Sequence, residues 1–249
     1  MWTRAILKTK AKAVLKVSYW KAFLVSLIIA FAGGNSGGGS TNWNFGNNSS
    51  QSSLGQESGE MLLVFLVIAF MVIIVLLLAG LFRIFLGYPL EVSGRRYFLQ
   101  SAQNDINMNY LGYAFNKGKY INIIKTMLWR SILNFLWYLL LIIPGIVKSY
   151  AYRMVPYILA DNPNISYKRA VQLSTQMTDG QKFDMWVLDL SFIGWYLLGV
   201  LALFIGVIFV MPYENATKAE LYLVLRQNAL DNGVCSCDEL MLNSPLQNF

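Results

Sequence analysis

The chain has 249 residues, 56% of them hydrophobic and 13% charged, with a net charge of +7. A soluble domain is usually about 45–50% apolar and about 25% charged, so this chain has too few charges to cover a water-facing surface, and the class it points to is integral membrane. The complete lack of His removes the usual general base near neutral pH and the commonest metal ligand.

Residues 1–21 hold six basic residues and no acidic one. Arg4, Lys8, Lys12 and Lys16 stand four apart and form one stripe of a helix. Trp2, Ile6, Ala13, Val14, Val17 and Trp20 fall on the other side. The spacing predicts an amphipathic helix on the cytoplasmic headgroups, with anionic lipid as its partner. Basic residues flanking apolar segments fit orientation in a bilayer better than they fit nucleic acid.

Residues 22–32 are the first apolar run. A basic lead, a short apolar core and Ala30-Phe31-Ala32 also have the layout of a signal peptide. Both readings put the N-terminus inside. Residues 33–59 are rich in Gly, Ser and Asn without Lys or Arg, and are expected to form a flexible extracytoplasmic loop. Residues 61–86 make the strongest span, with Arg83 near its end, and about 20 residues suffice to cross. Residues 90–119 are mixed and polar and read as a cytoplasmic segment with a short helix and a loop at 104–109.

Residues 120–143 form the next span, which Pro144-Gly145 is expected to end. If residues 120–147 were one crossing, Lys148, Arg153, Lys168, Arg169 and Lys182 would lie outside, against the positive-inside tendency. A turn at Pro144-Gly145 with a return through residues 146–160 keeps them inside. That return is short: 15 residues at about 1.5 Å each reach about 22 Å, against about 30 Å of hydrocarbon, so partial re-entry competes with full crossing. Residues 164–177 read as a helix. Residues 185–204 are a span with Asp189 one turn in, and residues 207–226 a last helix interrupted at Pro212-Tyr213. Glu214 and Lys218 stand four apart on it in the favourable order.

The expected fold is therefore all-α: about six membrane helices as three hairpins in one domain over residues 1–226. A polar cytoplasmic tail, expected to be disordered, follows at 227–249. Three basic leads run into apolar spans, and each hairpin's second helix sets a proline beside a tyrosine: Tyr88-Pro89, Pro156-Tyr157 and Pro212-Tyr213. This suggests an internal repeat. Cys235 and Cys237, as Cys-x-Cys in the tail, read as two loose thiols or a weak soft-metal signal.

The segments MWTRAILKTKAKAVLK, PLEVSGRRYF, IIPGIVKSYAYRMVPYILADNP, DLSFIGWYLLG and PYENATKAELYLVLR together resemble the bacterial integral membrane family labelled domain of unknown function 975, over roughly residues 1–226. A bulkier residue is expected where this chain has Gln181. The resemblance implies a multi-pass protein of the bacterial cytoplasmic membrane and carries over no functional residues.

Candidate site residues follow from charge inside apolar segments, which is costly and marks pathways or paired structure. They are Arg130, Lys148, Arg153, Asp189, Glu214 and Lys218, with helix breaks at Pro144, Gly145, Pro156 and Pro212. No GxxxxGK[ST], GxGxxG or HExxH is present, and no cofactor, metal or catalytic set is expected. The function expected is a non-enzymatic structural or accessory membrane component. The alternative is a small transporter or channel lined by proline-broken helices.

Overall fold

A computed structural model describes residues 2–31, 58–201 and 205–242. These residues are all-helical, without strands among them. Three helical runs are long and apolar enough to cross a membrane: Arg4–Ala30, Phe65–Ala102 and Lys182–Leu201. The expected loop at 33–59 lies outside the described residues except for its last two, which begin a helix.

The amphipathic lead and the first apolar run are one helix, α1 (Arg4–Phe31), kinked at Ser18 (φ −129°, ψ 21°). The Ser18 hydroxyl donates to the Val14 carbonyl at 3.0 Å, a back-bond that bends helices. Leu7, Ala11, Leu15, Ser18, Ala22, Val25 and Ile29 are buried. Their three- and four-residue spacing is one helical stripe, and it packs chiefly on α9 (Ile205–Asp231). The lysine stripe is not wholly solvent-facing. Lys8 donates to the Ser191 carbonyl at 3.3 Å and sits over the Phe192 ring, and Lys12 sits over Tyr213. Val17 and Trp20, by contrast, are 80% and 70% exposed.

α2 (Ser58–Phe82), a π-helical turn (Arg83–Gly87) and α3 (Tyr88–Ala102) form one continuous helical run. The π turn ends two residues before Pro89, whose missing N–H interrupts the ladder there, and the Phe85 carbonyl accepts from the Tyr120 hydroxyl at 2.8 Å instead. From Phe65 to Phe82, α2 exposes apolar side chains. α3 is the reverse: polar in sequence yet buried on nearly every side, including Glu91, Ser93, Arg95, Gln100 and Ser101. The segment read as a mixed, polar cytoplasmic stretch thus begins with a helix that is packed on many sides. α3 packs against α1, α4 (Lys117–Leu140), α6 (Val155–Asp161), α9 and a 3₁₀ helix (Met108–Phe115).

α4 (Lys117–Leu140) and α5 (Ile142–Ala151) pack as a hairpin. The turn is not at Pro144-Gly145. It falls at Leu141 (φ −158°, ψ 142°), and Pro144 and Gly145 lie inside the first turns of α5. Gly145 is there because α5 presses on α4: a Cβ added to it would lie 2.6 Å from the Tyr138 ring and 2.9 Å from the Tyr138 Cα. The return expected over 146–160 is two pieces, α5 and α6 (Val155–Asp161), broken at Tyr152–Met154 just before Pro156.

α7 (Tyr167–Met177) matches the helix expected at 164–177, and Gly180 (φ +70°) takes the left-handed turn that follows. α8 (Lys182–Leu201) and α9 form the last hairpin. The break expected at Pro212 is absent, and α9 runs through it.

The tail also departs from expectation. Leu240 and Cys235 are buried. Arg169 pairs with Glu239 at 2.6 Å and donates to the Val234 carbonyl at 2.8 Å, while Asn162 donates to the Glu239 carbonyl at 2.8 Å. Through residue 242 the tail is therefore docked on α7 and the end of α6. Arg169 holds the Glu239 carboxyl below its ordinary value of 4.5, and burial pushes the Cys235 thiol up. A carboxylate lowered in the folded state contributes stability above its unfolded value, and that contribution is lost as pH falls through the folded value. Docking should thus be constant from neutral pH to about 4.5 and weaken below it. Exposed Cys237 should react with a maleimide at least about tenfold faster than Cys235. Arg169→Ala should close that gap at neutral pH; equal labelling of the two thiols in the unaltered protein would refute the docking.

Candidate functional site

The site is assembled from charges that the helices bring inside. Asp189, about two turns into α8, accepts from Arg153 at 2.5 Å and from the Tyr150 hydroxyl at 3.0 Å. Its other oxygen faces the Lys218 ammonium of α9 at 3.8 Å. Lys218 also pairs with Glu214 one helical turn earlier, and Glu214 accepts from the Tyr196 hydroxyl of α8. Arg153 reaches this centre because it sits in the break between α5 and α6, stacked over the Tyr150 ring at 4.4 Å. Two cations and two carboxylates make a group of zero formal charge, framed by two tyrosines.

A second centre lies on α3. Glu91 is fully buried and pairs with Arg83 at 2.9 Å and Arg130 at 3.6 Å. Arg95, one turn further on, donates to Asn215 of α9 at 2.7 Å and to the Tyr157 hydroxyl of α6 at 3.3 Å. Asn215 in turn donates to Ser26 of α1 at 3.0 Å. Arg95 thus ties together the helices that follow Pro89, Pro156 and Pro212. A third centre is Asp161 at the end of α6. It accepts from Arg226 and from the Tyr222 hydroxyl, both at 2.8 Å, with Arg96 at 3.7 Å. Tyr222 stacks on Tyr157 with ring centroids 5.3 Å apart, which joins this centre to the others.

Of the six charges singled out from the sequence, Arg153, Asp189, Glu214 and Lys218 converge. Arg130 belongs to the Glu91 centre instead. Lys148 joins neither; it lies over the Trp137 ring at 4.9 Å. Glu91, Arg95, Asn215 and Asp161 were not singled out. A signal for the first two is present in the sequence: Pro89-x-Glu91-x-x-x-Arg95 has the same form as Pro212-x-Glu214-x-x-x-Lys218. Both set a carboxylate and a cation one turn apart just after a proline.

Buried polar atoms are normally hydrogen-bonded. Here Arg153 Nη1, Asp189 Oδ1 and Glu91 Oε1 are buried without a hydrogen-bond partner. Asp189 Oδ1 lies 3.8 Å from the Lys218 ammonium, an ion pair longer than a hydrogen bond. Apart from these centres, a groove of about 560 Å³ lies between α1, the end of α3 and α9, lined by Lys10, Val14, Ala102, Glu220 and Leu223 among others.

Together, the all-helical fold and three helices long and apolar enough to cross a bilayer are those of a membrane-associated helical protein in length and composition. Residues 138–229 match the family described as protein of unknown function (DUF975), and the chain resembles that family there. The matched residues contain Arg153, Asp189, Glu214 and Lys218, whereas MWTRAILK, PLEVSGRRYF and Arg130 lie before them. No curated protein and no solved structure matches the chain.

Proposed function

We propose that this chain is a multi-pass protein of the bacterial cytoplasmic membrane with a non-enzymatic structural or accessory role. It is built as three membrane-inserted helical hairpins: α1–α2, α4–α5 and α8–α9. The observation that carries the role is the closure of Arg153, Asp189, Glu214 and Lys218 on one another at zero formal charge. Charges paired in this way fix how helices meet; they do not present an unpaired charge to a passing solute. The hairpin reading draws support from the recurring proline-led Glu/cation turns on α3 and α9. It also draws support from the glycines that let paired helices touch, Gly145 in one hairpin and Gly199 with Gly206 in another. Arg4, Lys10, Lys16 and Lys21 are exposed on α1, which suits contact with anionic headgroups.

Reporter fusions should read outside within residues 33–59, inside within 161–182 and inside after the tail. An outside signal at 161–182 would overturn the hairpin scheme. A second reading, a small transporter, rests on Arg153 Nη1 and Asp189 Oδ1, which are buried at the same centre without a hydrogen bond. Vesicles reconstituted with the protein should pass protons and small ions no faster than protein-free vesicles. A flux that Asp189→Asn abolishes would replace the structural role with transport.

A further inference from the structure

We propose that the α4–α5 hairpin is re-entrant: it enters from the cytoplasmic side, turns at Leu141 among the acyl-chain ends near the bilayer midplane, and leaves on the side it entered. This rests on the membrane reading above and goes beyond it in depth and in partner, which is the hydrocarbon of a single leaflet.

The first observation is exposure on all sides. Five consecutive residues at the tip, Leu139, Leu140, Leu141, Ile142 and Ile143, are 73%, 67%, 61%, 71% and 77% exposed. A protein partner or a second copy of the chain covers one face of a helix and leaves a stripe. A tip open in every direction is surrounded by a solvent. Residues 139–147 read LLLIIPGIV, with no polar side chain before Lys148, so the solvent that matches them is hydrocarbon and not water.

The second observation is the backbone of the corner. Irregular backbone facing lipid must satisfy its own polar groups. The Leu141 N–H donates to the Trp137 carbonyl and the Leu141 carbonyl accepts from the Gly145 N–H, each at 3.1 Å. Pro144, in the first turn of α5, has no N–H to leave without a partner. The corner therefore keeps a hydrogen bond on each side of Leu141 as the chain turns, and Gly145 lets the two helices close behind it.

The third observation is length. α5 has 10 residues, about 15 Å at about 1.5 Å per residue, which is half of about 30 Å of hydrocarbon. On α4, Arg130 is held by Glu91, and from there to Leu141 is a further rise of about 16 Å. On α5, Lys148 stacks on Trp137 of α4. The stems thus carry a cation one leaflet's depth from the tip on α4 and another about 10 Å from it on α5, close enough for a lysine to reach the headgroups. A full crossing would draw those cations toward the midplane and push the apolar tip into the far headgroups.

The test uses the full chain with Cys235→Ser and Cys237→Ser, reconstituted in phosphatidylcholine vesicles. Single cysteines are introduced as Leu141→Cys, Leu139→Cys and, in mid-α2, Ile73→Cys, and each carries a thiol-linked fluorophore. Nitroxide lipids quench from either the headgroup end or the chain end. Re-entry predicts that Leu141 and Leu139, like Ile73, are quenched about twofold more by chain-end nitroxides, placing them within ~5 Å of the bilayer centre. Stronger headgroup quenching at Leu141 and Leu139, with Ile73 deep, means full crossing and overturns the proposal. Quenching of the tip by aqueous iodide, with Ile73 deep, means the tip lies outside the hydrocarbon and overturns it equally. If Ile73 is itself quenched only by iodide, the membrane reading fails, and the proposal with it.

Discussion

Asp189→Ala should destabilise the folded protein by about 3–5 kcal/mol, the cost of stranding buried charge. Asp189 is the only carboxylate that bonds Arg153 among the ion pairs described, and it is also the second carboxylate beside Lys218. Removing it leaves a guanidinium and part of an ammonium buried between α5, α8 and α9 with Glu214 alone to compensate. The contribution of the pair itself is smaller than this cost, since removing both partners also removes the desolvation of both. Arg153→Met combined with Asp189→Leu should therefore be more stable than Asp189→Ala by at least about 2 kcal/mol. Lys148→Met removes a cation that only stacks on Trp137 and should change stability by less than about 1 kcal/mol. Midpoints of denaturant unfolding in mixed micelles give all three. Equal losses for Asp189→Ala and Lys148→Met would show that Asp189 is no hub.

Local sequence patterns were legible where both partners lie on one helix, and obscure where the fold brings them together. Glu214 and Lys218 stand one turn apart, so their pairing follows from helical geometry. Arg153 and Asp189 are 36 residues apart and each was visible only as a charge in an apolar segment. Glu91 and Arg95 were hidden for a different reason. Polar composition points to a segment outside the hydrocarbon and does not say whether its side chains are buried; polar groups can be buried when they satisfy one another, and α3 does this against α6 and α9. Proline was ambiguous as a break signal. In a first turn it costs nothing, so Pro144 marks the start of α5 and the turn falls earlier, at Leu141, which carries no turn chemistry. At Pro212 the helix continues, because packed neighbours can hold a helix across the lost bond. The tail looked solvating for want of apolar runs. Single anchors, Leu240 and Cys235, with the Arg169–Glu239 pair, were enough to dock it.

Two alanine substitutions on α8 should move stability in opposite directions. Gly194 has open space where a Cβ would stand, so Gly194→Ala should gain roughly 0.5–1 kcal/mol from helix propensity alone. At Gly199 the same methyl would lie 2.7 Å from the Val207 backbone nitrogen and 2.8 Å from the Gly206 carbonyl carbon. No rotamer change relieves a contact with backbone, so α8 and α9 must separate, at a cost of about 1–3 kcal/mol. Gly206 meets Gly199 Cα at 2.6 Å from its own side, so Gly206→Ala should cost a similar amount, and the double substitution more than either. The strain reaches the charge network because the same two helices carry it. Tyr196 lies between Gly199 and Asp189 on α8 and bonds Glu214 across the hairpin. Opening the apex lengthens that contact first, so Gly199→Ala and Tyr196→Phe together should lose less than the sum of their separate losses. Strict additivity would mean that the glycine contact and the buried charges are independent features of the hairpin. The same sign for Gly194→Ala and Gly199→Ala would remove the backbone contact as the reason Gly199 is glycine.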